Sequence, residues 1–345
     1  MPPVSCVRSP WRASGYAQRP AIRRCGTRSG RCAPPLETLE QPFNKSFAAQ
    51  LPKALRQRRQ RLAIDLILIP YHGQPHRRIE ESYRGQAKSG TTHFHAYATA
   101  YLVHRGRRFT VALTHVEHGA DLVDVVKRLL RTASRAGIRP TLLLLDRGFY
   151  RVDVIRYLQA ARYPFIMPVI CRGRRADDPR GPSGTRVFAT HKHHGWFRYT
   201  LTRASKRTAT VLICVHCRHW RGRRNRHGRQ TLVYACWGVS PTTTHWGYQV
   251  YRQRFGIETS YRQLHQARIK TTTRDPLLRL LFVGIALFLR NVWVWVHWYC
   301  LSTPRRGGRQ LNLPSLRFAT LLIWLVHLAE QTFGINDSVV VRRLL

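Results

Sequence analysis

The sequence predicts an α/β protein: a mixed sheet flanked by helices, interrupted by a mainly β insertion and completed by a helical C-terminus. Three observations carry the prediction. Two short apolar runs, 62–70 and 141–145, have the length and bounding turns of buried strands. Between them, Leu122, Val125, Val126, Leu129, Leu130 and Ala133 recur at helical spacing. Beyond them, residues 171–247 alternate apolar and polar with Arg throughout, and 277–301 are apolar over the length of a long helix.

Taken in order, residues 1–34 are rich in Arg, Pro, Gly and Ser without a period and read as a disordered basic segment. A flexible arm on DNA and a spurious N-terminus translated from a misplaced start both fit. Residues 35–61 read as the remnant of an N-terminal helical region, ending in a basic run from Lys53 to Arg61. Residues 62–170 form the first part of the main domain. The strand 62–70 contains Asp65, and a buried charge without a partner is costly, so Asp65 calls for a cation or a hydrogen-bond network. Strands at 93–103 and 108–115 flank a turn, and the helix at 120–136 is stopped by Gly137 and Pro140. The strand 141–145 ends at Asp146, and strand ends in α/β sheets are where ligands and metals gather. A helix at 151–162 leads to a strand at 163–170, which Pro168 places near a sheet edge. The insertion, 171–247, carries strands at 185–190, 195–204, 208–217 and 230–238. Residues 248–345 complete the domain and add helices, the last near 315–330.

Composition narrows the partners. The chain has 59 Lys+Arg against 16 Asp+Glu, a formal net charge of +43. That excess speaks for a polyanion, and the basic residues are nearly all Arg, which grips phosphate oxygens bidentately. Eight cysteines are scattered through a long chain whose start has no apolar leader, which excludes a secreted disulfide scaffold and favours a reduced, intracellular setting. The apolar stretch 277–301 is interrupted by Arg290, Asn291 and His297, and a central Arg costs at least ~2.5 kcal/mol on insertion. It reads as a buried core helix, with no membrane partner.

Acids are scarce, so their positions count. Most lie in polar loops or on helix faces. Asp65 lies inside a strand, Asp146 ends one, and Glu258 falls in Tyr251–His265, YRQRFGIETSYRQLH. Read as one helix at ~100° per residue, that stretch puts Tyr251, Arg254, Glu258, Arg262 and His265 on a single stripe. A solvated face with a Glu258–Arg262 pair would give the same pattern. Strand, hairpin, helix, strand and helix, with acids on the first and fourth strands and on a late helix, is a ribonuclease H-like layout. Side-by-side central strands would bring Asp65 and Asp146 together beneath the Glu258 helix. Three converging carboxylates suit hard divalent cations.

These residues carry a resemblance. From about Ala63 to Asn291 the chain resembles the DDE transposases of insertion sequences, halobacterial-type relatives included, in the group marked by Tyr-x2-Arg-x3-Glu-x6-Lys. The motifs are AIDLILIPYHG, LLLDRGFY, YRQRFGIETSYR and RDPLLRLLFVGIALFLRN, in that order. The resemblance implies Asp65, Asp146 and Glu258 as catalytic and metal-ligating residues. It implies two Mg²⁺ ions, with Mn²⁺ as a substitute, and Tyr251, Arg254, Arg262 and His265 as DNA contacts. It further implies cleavage and strand transfer by in-line displacements on element ends and target DNA, a synaptic homodimer, and a prokaryotic, cytoplasmic, nucleoid-associated protein. Two departures stand out. His265 replaces the signature Lys, and an imidazole is mostly neutral at pH 7. Only 64 residues precede Asp65, where family members commonly carry a helical end-binding domain. The alternative expectation is therefore an inactive, truncated relic that binds DNA without cutting it.

Smaller features receive structural readings. Cys214-x2-Cys217 with His216 and His219 lies on an alternating strand and lacks a second Cys pair, which disfavours zinc. His93, His95 and the 192–194 histidines read as exposed or strand-face residues. Trp237 and Trp246 read as packing rather than base stacking, and Asp121 as a first-turn helix acid.

Overall fold

The computed structural model describes residues 36–334 except 57–58, 74–81, 104–107, 204–205, 222–226, 241–242 and 306–307, and the side chains of 37, 220–221, 227, 257–259, 308 and 313. The basic segment 1–34 therefore lies outside the described residues.

The sheet is built outward from two parallel strands. β1 (Arg59–Pro70) and β5 (Arg139–Leu145) pair in parallel, with Ile64 opposite Leu145. Both are apolar on both faces, as strands covered by helices on either side must be. On the other flank of β1 runs β3 (Thr91–Leu102), antiparallel, with Asp65 opposite Thr99. The far edge of β3 is shared by β2 (Tyr83–Lys88) and β4 (Thr110–Val116). β2 was not expected; Tyr83–Lys88 is a polar, largely exposed hairpin arm with little apolar alternation to reveal it.

Beyond β5 the sheet continues through β6 (Phe165–Pro168), β9 (His227–Trp237), β8 (Thr208–Arg221) and β7 (Gly195–Thr202), giving nine strands among the described residues. Two expectations change here. β6 is interior, between β5 and β9, because Pro168 sits at its last position and its partner arrives from some seventy residues later. Residues 185–190 fold as a short helix, α5 (Arg186–Thr190), rather than a strand. The strands of the insertion extend the central sheet through β6 and β9.

Helices cover both faces. α3 (Leu122–Arg135) and α4 (Val152–Ala160) bury their apolar stripes with Leu62 and Ile64 of β1. Asp121 precedes α3 as its N-cap, accepting from Val123 N at 2.9 Å. The opposite face, with Ala63, Ile67 and Ile69, receives α6 (Thr244–Arg252), α7 (Gly256–Ala267) and part of α8 (Pro276–Tyr299). Asp65 shares the strand parity of Ala63 and Ile67, so it faces this second group. α1 (Leu36–Gln50) and the four-residue α2 (Lys53–Arg56) precede the sheet, a small two-stranded sheet pairs β10 (Thr303–Arg305) with β11 (Gly308–Gln310), and α9 (Phe318–Phe333) comes last.

α1 and α8 close the free edge of β4 with side chains. Asn291 of α8 donates to Thr110 O and accepts from Thr110 N, both at 2.9 Å. Asn44 of α1 does the same for Leu113, at 3.0 and 2.8 Å. Glu40 accepts from His115 N at 2.5 Å and from the Thr114 hydroxyl. The register of β4 against β3 slips between Ala100 and Tyr101, making Val111 the extra residue. That bulge changes which residues point outward, from Thr110 to Leu113 and His115.

α8 has the length and apolarity of a membrane span, and half of that window is buried inside the fold. Its polar interruptions are the reason. Arg290 and Asn291 are buried and hydrogen-bonded to the protein, Arg290 to Arg108 O at 2.6 Å and Ser260 Oγ at 2.7 Å.

Candidate active site

Two aspartates are brought together by strand register alone. Because Ile64 lies opposite Leu145 in a parallel pair, Asp65 and Asp146 come next, side by side. The Asp146 amide donates to Ile64 O at 3.3 Å, the last rung of the ladder. The strand stops there because the Asp146 side chain turns back to accept from Gly148 N at 3.4 Å, capping a 3₁₀ turn at Arg147–Phe149. The expectation that these strands would be neighbours is met.

Between the carboxylates lies one guanidinium. Arg254 donates from Nη1 to Asp65 Oδ2 at 3.0 Å and from Nη2 to Asp146 Oδ1 at 2.9 Å. It is 7% exposed, and Asp65 is 8% exposed. Burial pushes the Asp65 carboxyl up to about 6; the Arg254 charge opposes that rise and the Asp146 charge adds to it. The site thus combines two oxygen donors with a strong demand for positive charge, which Arg254 meets. Tyr251 stands behind it, 2% exposed, with its ring 5.4 Å from the guanidinium carbon and its hydroxyl donating to Leu145 O at 3.2 Å.

The helix carrying these residues departs from the single stripe. α6 ends at Arg252, Gln253–Phe255 form a 3₁₀ turn, and α7 starts at Gly256. Tighter winding at about three residues per turn rotates everything after it. Tyr251 and Arg254 consequently point into the protein, whereas Arg262 and His265 are exposed. Partial burial and then the Arg268 charge lower the His265 pKa below the ordinary value, leaving the ring neutral at pH 7. Glu258 belongs to α7, four residues after Arg254, and its side chain lies outside the described ones. The described neighbours of Glu258 fix where α7 runs. Tyr261 shares a hydrogen bond of 3.0 Å with Thr99, the residue opposite Asp65, and packs edge-on against Tyr101.

A second set of residues, not expected from the sequence, anchors the start of α7. Arg108 Nη1 donates to Gly256 O at 2.9 Å, and a Cβ on Gly256 would fall 1.6 Å from the Arg108 guanidinium carbon. A side chain at position 256 would have to displace the Arg108 guanidinium from Gly256 O. Ser260 Oγ also donates to Gly256 O, at 3.0 Å, and receives Arg290 in turn. Burial lowers the Arg290 pKa to about 10 despite the nearby Tyr101. The sequence signal for this network was Arg290 itself, a lone cation in an apolar helix.

The other candidates resolve into packing. Among the described residues no group of three or more His, Cys, Asp or Glu is placed to hold a metal ion, and Cys214 and Cys217 are strand residues of β8. His95 is buried, edge-on to Tyr71, and Trp237 and Trp246 pack partly buried against the cores.

The family model of the transposase DDE domain matches residues 56–291, more than half of the chain and the whole span from β1 through Arg290. The chain belongs to the DDE transposase family. No curated protein matches the sequence. Asp65 on β1 and Asp146 at the end of β5, the pair that Arg254 joins, both fall within the matched span.

Proposed function

We propose that this DDE domain cleaves DNA at the ends of an insertion sequence and transfers the freed ends to a target, with Asp65, Asp146 and Glu258 as the carboxylates that hold divalent cations. The observation that carries the reading is the Arg254 bridge: two carboxylates from adjacent parallel strands share one buried positive charge. Oxygen donors of this kind fit a hard cation, Mg²⁺ or Mn²⁺. When bound, the cations supply charge neutralisation at the attacking and leaving oxygens of an in-line displacement.

The chain's own residues divide the remaining work. Asp65 must be ionised to hold a cation, and because burial raises its carboxyl to about 6, a cation competes with a proton there at lower pH. Asp65 and Asp146 would hold the cations in place of the Arg254 bridge, and the Arg254 guanidinium would then be available to a phosphate oxygen, which it can hold bidentately. Tyr251, anchored on Leu145 O, limits how far Arg254 can move. Exposed Arg262 gives α7 a phosphate contact that neutral His265 supplies less well. The spacing Tyr251, Arg254, Glu258 supports the Tyr-Arg-Glu signature group, and a pair of copies at the synapsed ends follows from that reading.

The test is strand cleavage of a labelled duplex carrying the ends of the protein's own element, in Mg²⁺ or in EDTA. Nicking at the element boundary is expected with Mg²⁺ only, and Asp146→Asn is expected to abolish it while DNA affinity is kept or raised. Cleavage that survives in Asp146→Asn, or in EDTA, would sink the assignment. Binding without any cleavage, in Mn²⁺ as well, would point to the inactive relic.

A further inference from the structure

A cleft of about 670 Å³ opens at the amino ends of β1 and β5, away from Asp146. Its walls carry Arg59, Arg61, Arg108 and Arg252, with the amides Gln249 and Gln253, and among the described residues no acidic side chain lines it. None of the four arginines forms an ion pair among the described residues. Arg59 and Arg252 are exposed. Arg61 Nη1 donates to Gln253 Oε1 at 2.9 Å, which ties β1 to the 3₁₀ turn across the cleft. Burial lowers the pKa of Arg108, so an anion beside it would relieve a real cost. Four guanidiniums lining one cleft repel one another, and a bound polyanion removes that repulsion.

The same two elements carry the carboxylate site. Arg61 and Asp65 lie on one face of β1, four residues apart, on the order of 13 Å at ~3.3 Å per residue. Arg252 precedes Arg254 by two residues. An anion held in the cleft is therefore held in fixed relation to the aspartates.

We propose that this cleft binds the phosphodiester backbone of duplex DNA, at a site separate from the carboxylate pair. The proposal takes DNA as the substrate from the family reading and adds the place where a stretch of its backbone is gripped. Guanidiniums and amide groups recognise phosphate oxygens, not base edges, so the cleft supplies affinity and register without sequence preference.

The experiment compares two charge-matched triple variants by fluorescence anisotropy with a duplex lacking any element end, in EDTA, across a range of salt. The first is Arg59→Gln, Arg61→Gln and Arg252→Gln. The control is Arg131→Gln, Arg135→Gln and Arg198→Gln, exposed arginines of α3 and β7 outside the cleft. Each lost phosphate contact lowers the slope of log K against log salt by about 0.9. The cleft variant is expected to lose about 2 to 3 in slope and the control less than 1. Equal losses overturn the proposal, because net charge alone would then account for binding. If the triple variant fails to unfold cooperatively, single Arg252→Gln is compared with single Arg135→Gln, with a loss of about 1 expected for the first alone. Catalysis plays no part in this readout. An inert carboxylate site with an intact slope difference would remove the cleavage reading and leave the cleft standing.

Discussion

Arg254 sits where strand register has already forced two carboxylates together, and each of the three charges depends on the other two. Removing the cation leaves Asp65 buried beside Asp146 with no compensation. Breaking a buried pair this way costs about 3–5 kcal/mol, and the lower end applies because Asp146 is partly exposed. Arg254→Gln is expected to lose about 3 kcal/mol of stability in EDTA and to regain more of it with Mn²⁺ than wild type gains. Thermal unfolding with and without the cation checks this, and a variant as stable as wild type in EDTA would show that the bridge contributes little. His115 offers a second test. Burial, then the Arg128 charge, lowers its pKa to about 4. The folded ring resists a proton that the unfolded ring accepts near 6.5, so the unfolded state binds more protons between those values. Stability from this residue is full above about 6.5 and lost as the pH falls toward 4. At ~1.36 kcal/mol per unit the loss is about 3 kcal/mol. The difference in unfolding free energy between wild type and His115→Gln is expected to shift by that amount from pH 7 to pH 4, while Asp65 cancels between the two proteins.

At the scale of elements, β4 depends on partners from outside the sheet. Its outward backbone groups are answered by Asn291, Asn44 and Glu40. Asn44→Ala leaves the amide and carbonyl of Leu113 unpaired at a buried edge, at ~1–3 kcal/mol for each. A loss of about 3 kcal/mol in urea unfolding is expected, and an unchanged midpoint would mean that water reaches the edge freely. Much of this layer was legible beforehand. β1 and β5 announced themselves as short apolar runs, one with an Asp inside it and one with an Asp just past its end, and α3 by its 3.6-residue period. What escaped was non-local. The interior position of β6 depends on β9, which no local pattern around Pro168 reveals. The rotation of Arg254 into the site depends on a three-residue 3₁₀ turn within an otherwise helical stretch. Asp65 and Asp146 could be found as acids in the wrong surroundings for acids, whereas the cation between them required the fold.

For the whole molecule, charge is the dominant fact. With 59 basic against 16 acidic side chains, the folded chain works against its own repulsion. Most of the few described ion pairs lie at the surface, such as Asp153 with Arg203 and Arg207, and contribute little. The unfolding temperature is expected to rise with ionic strength, and further with duplex DNA at equal ionic strength. Scanning calorimetry at low and moderate salt reads this directly, and a flat response would mean that the arginines are spread too widely to repel.

The side-chain closure of β4 also bears on where the protein can be cut. α1 lies upstream of residue 56, where the family match begins, yet it holds two of the three groups that finish the strand. A fragment starting at that boundary would uncover a row of unanswered amides and carbonyls on a strand with apolar flanks. Such an edge acts as a template for strand addition by a neighbouring molecule. In this protein α1 therefore doubles as a guard against self-association, and constraint on Glu40 and Asn44 would reflect solubility as much as fold.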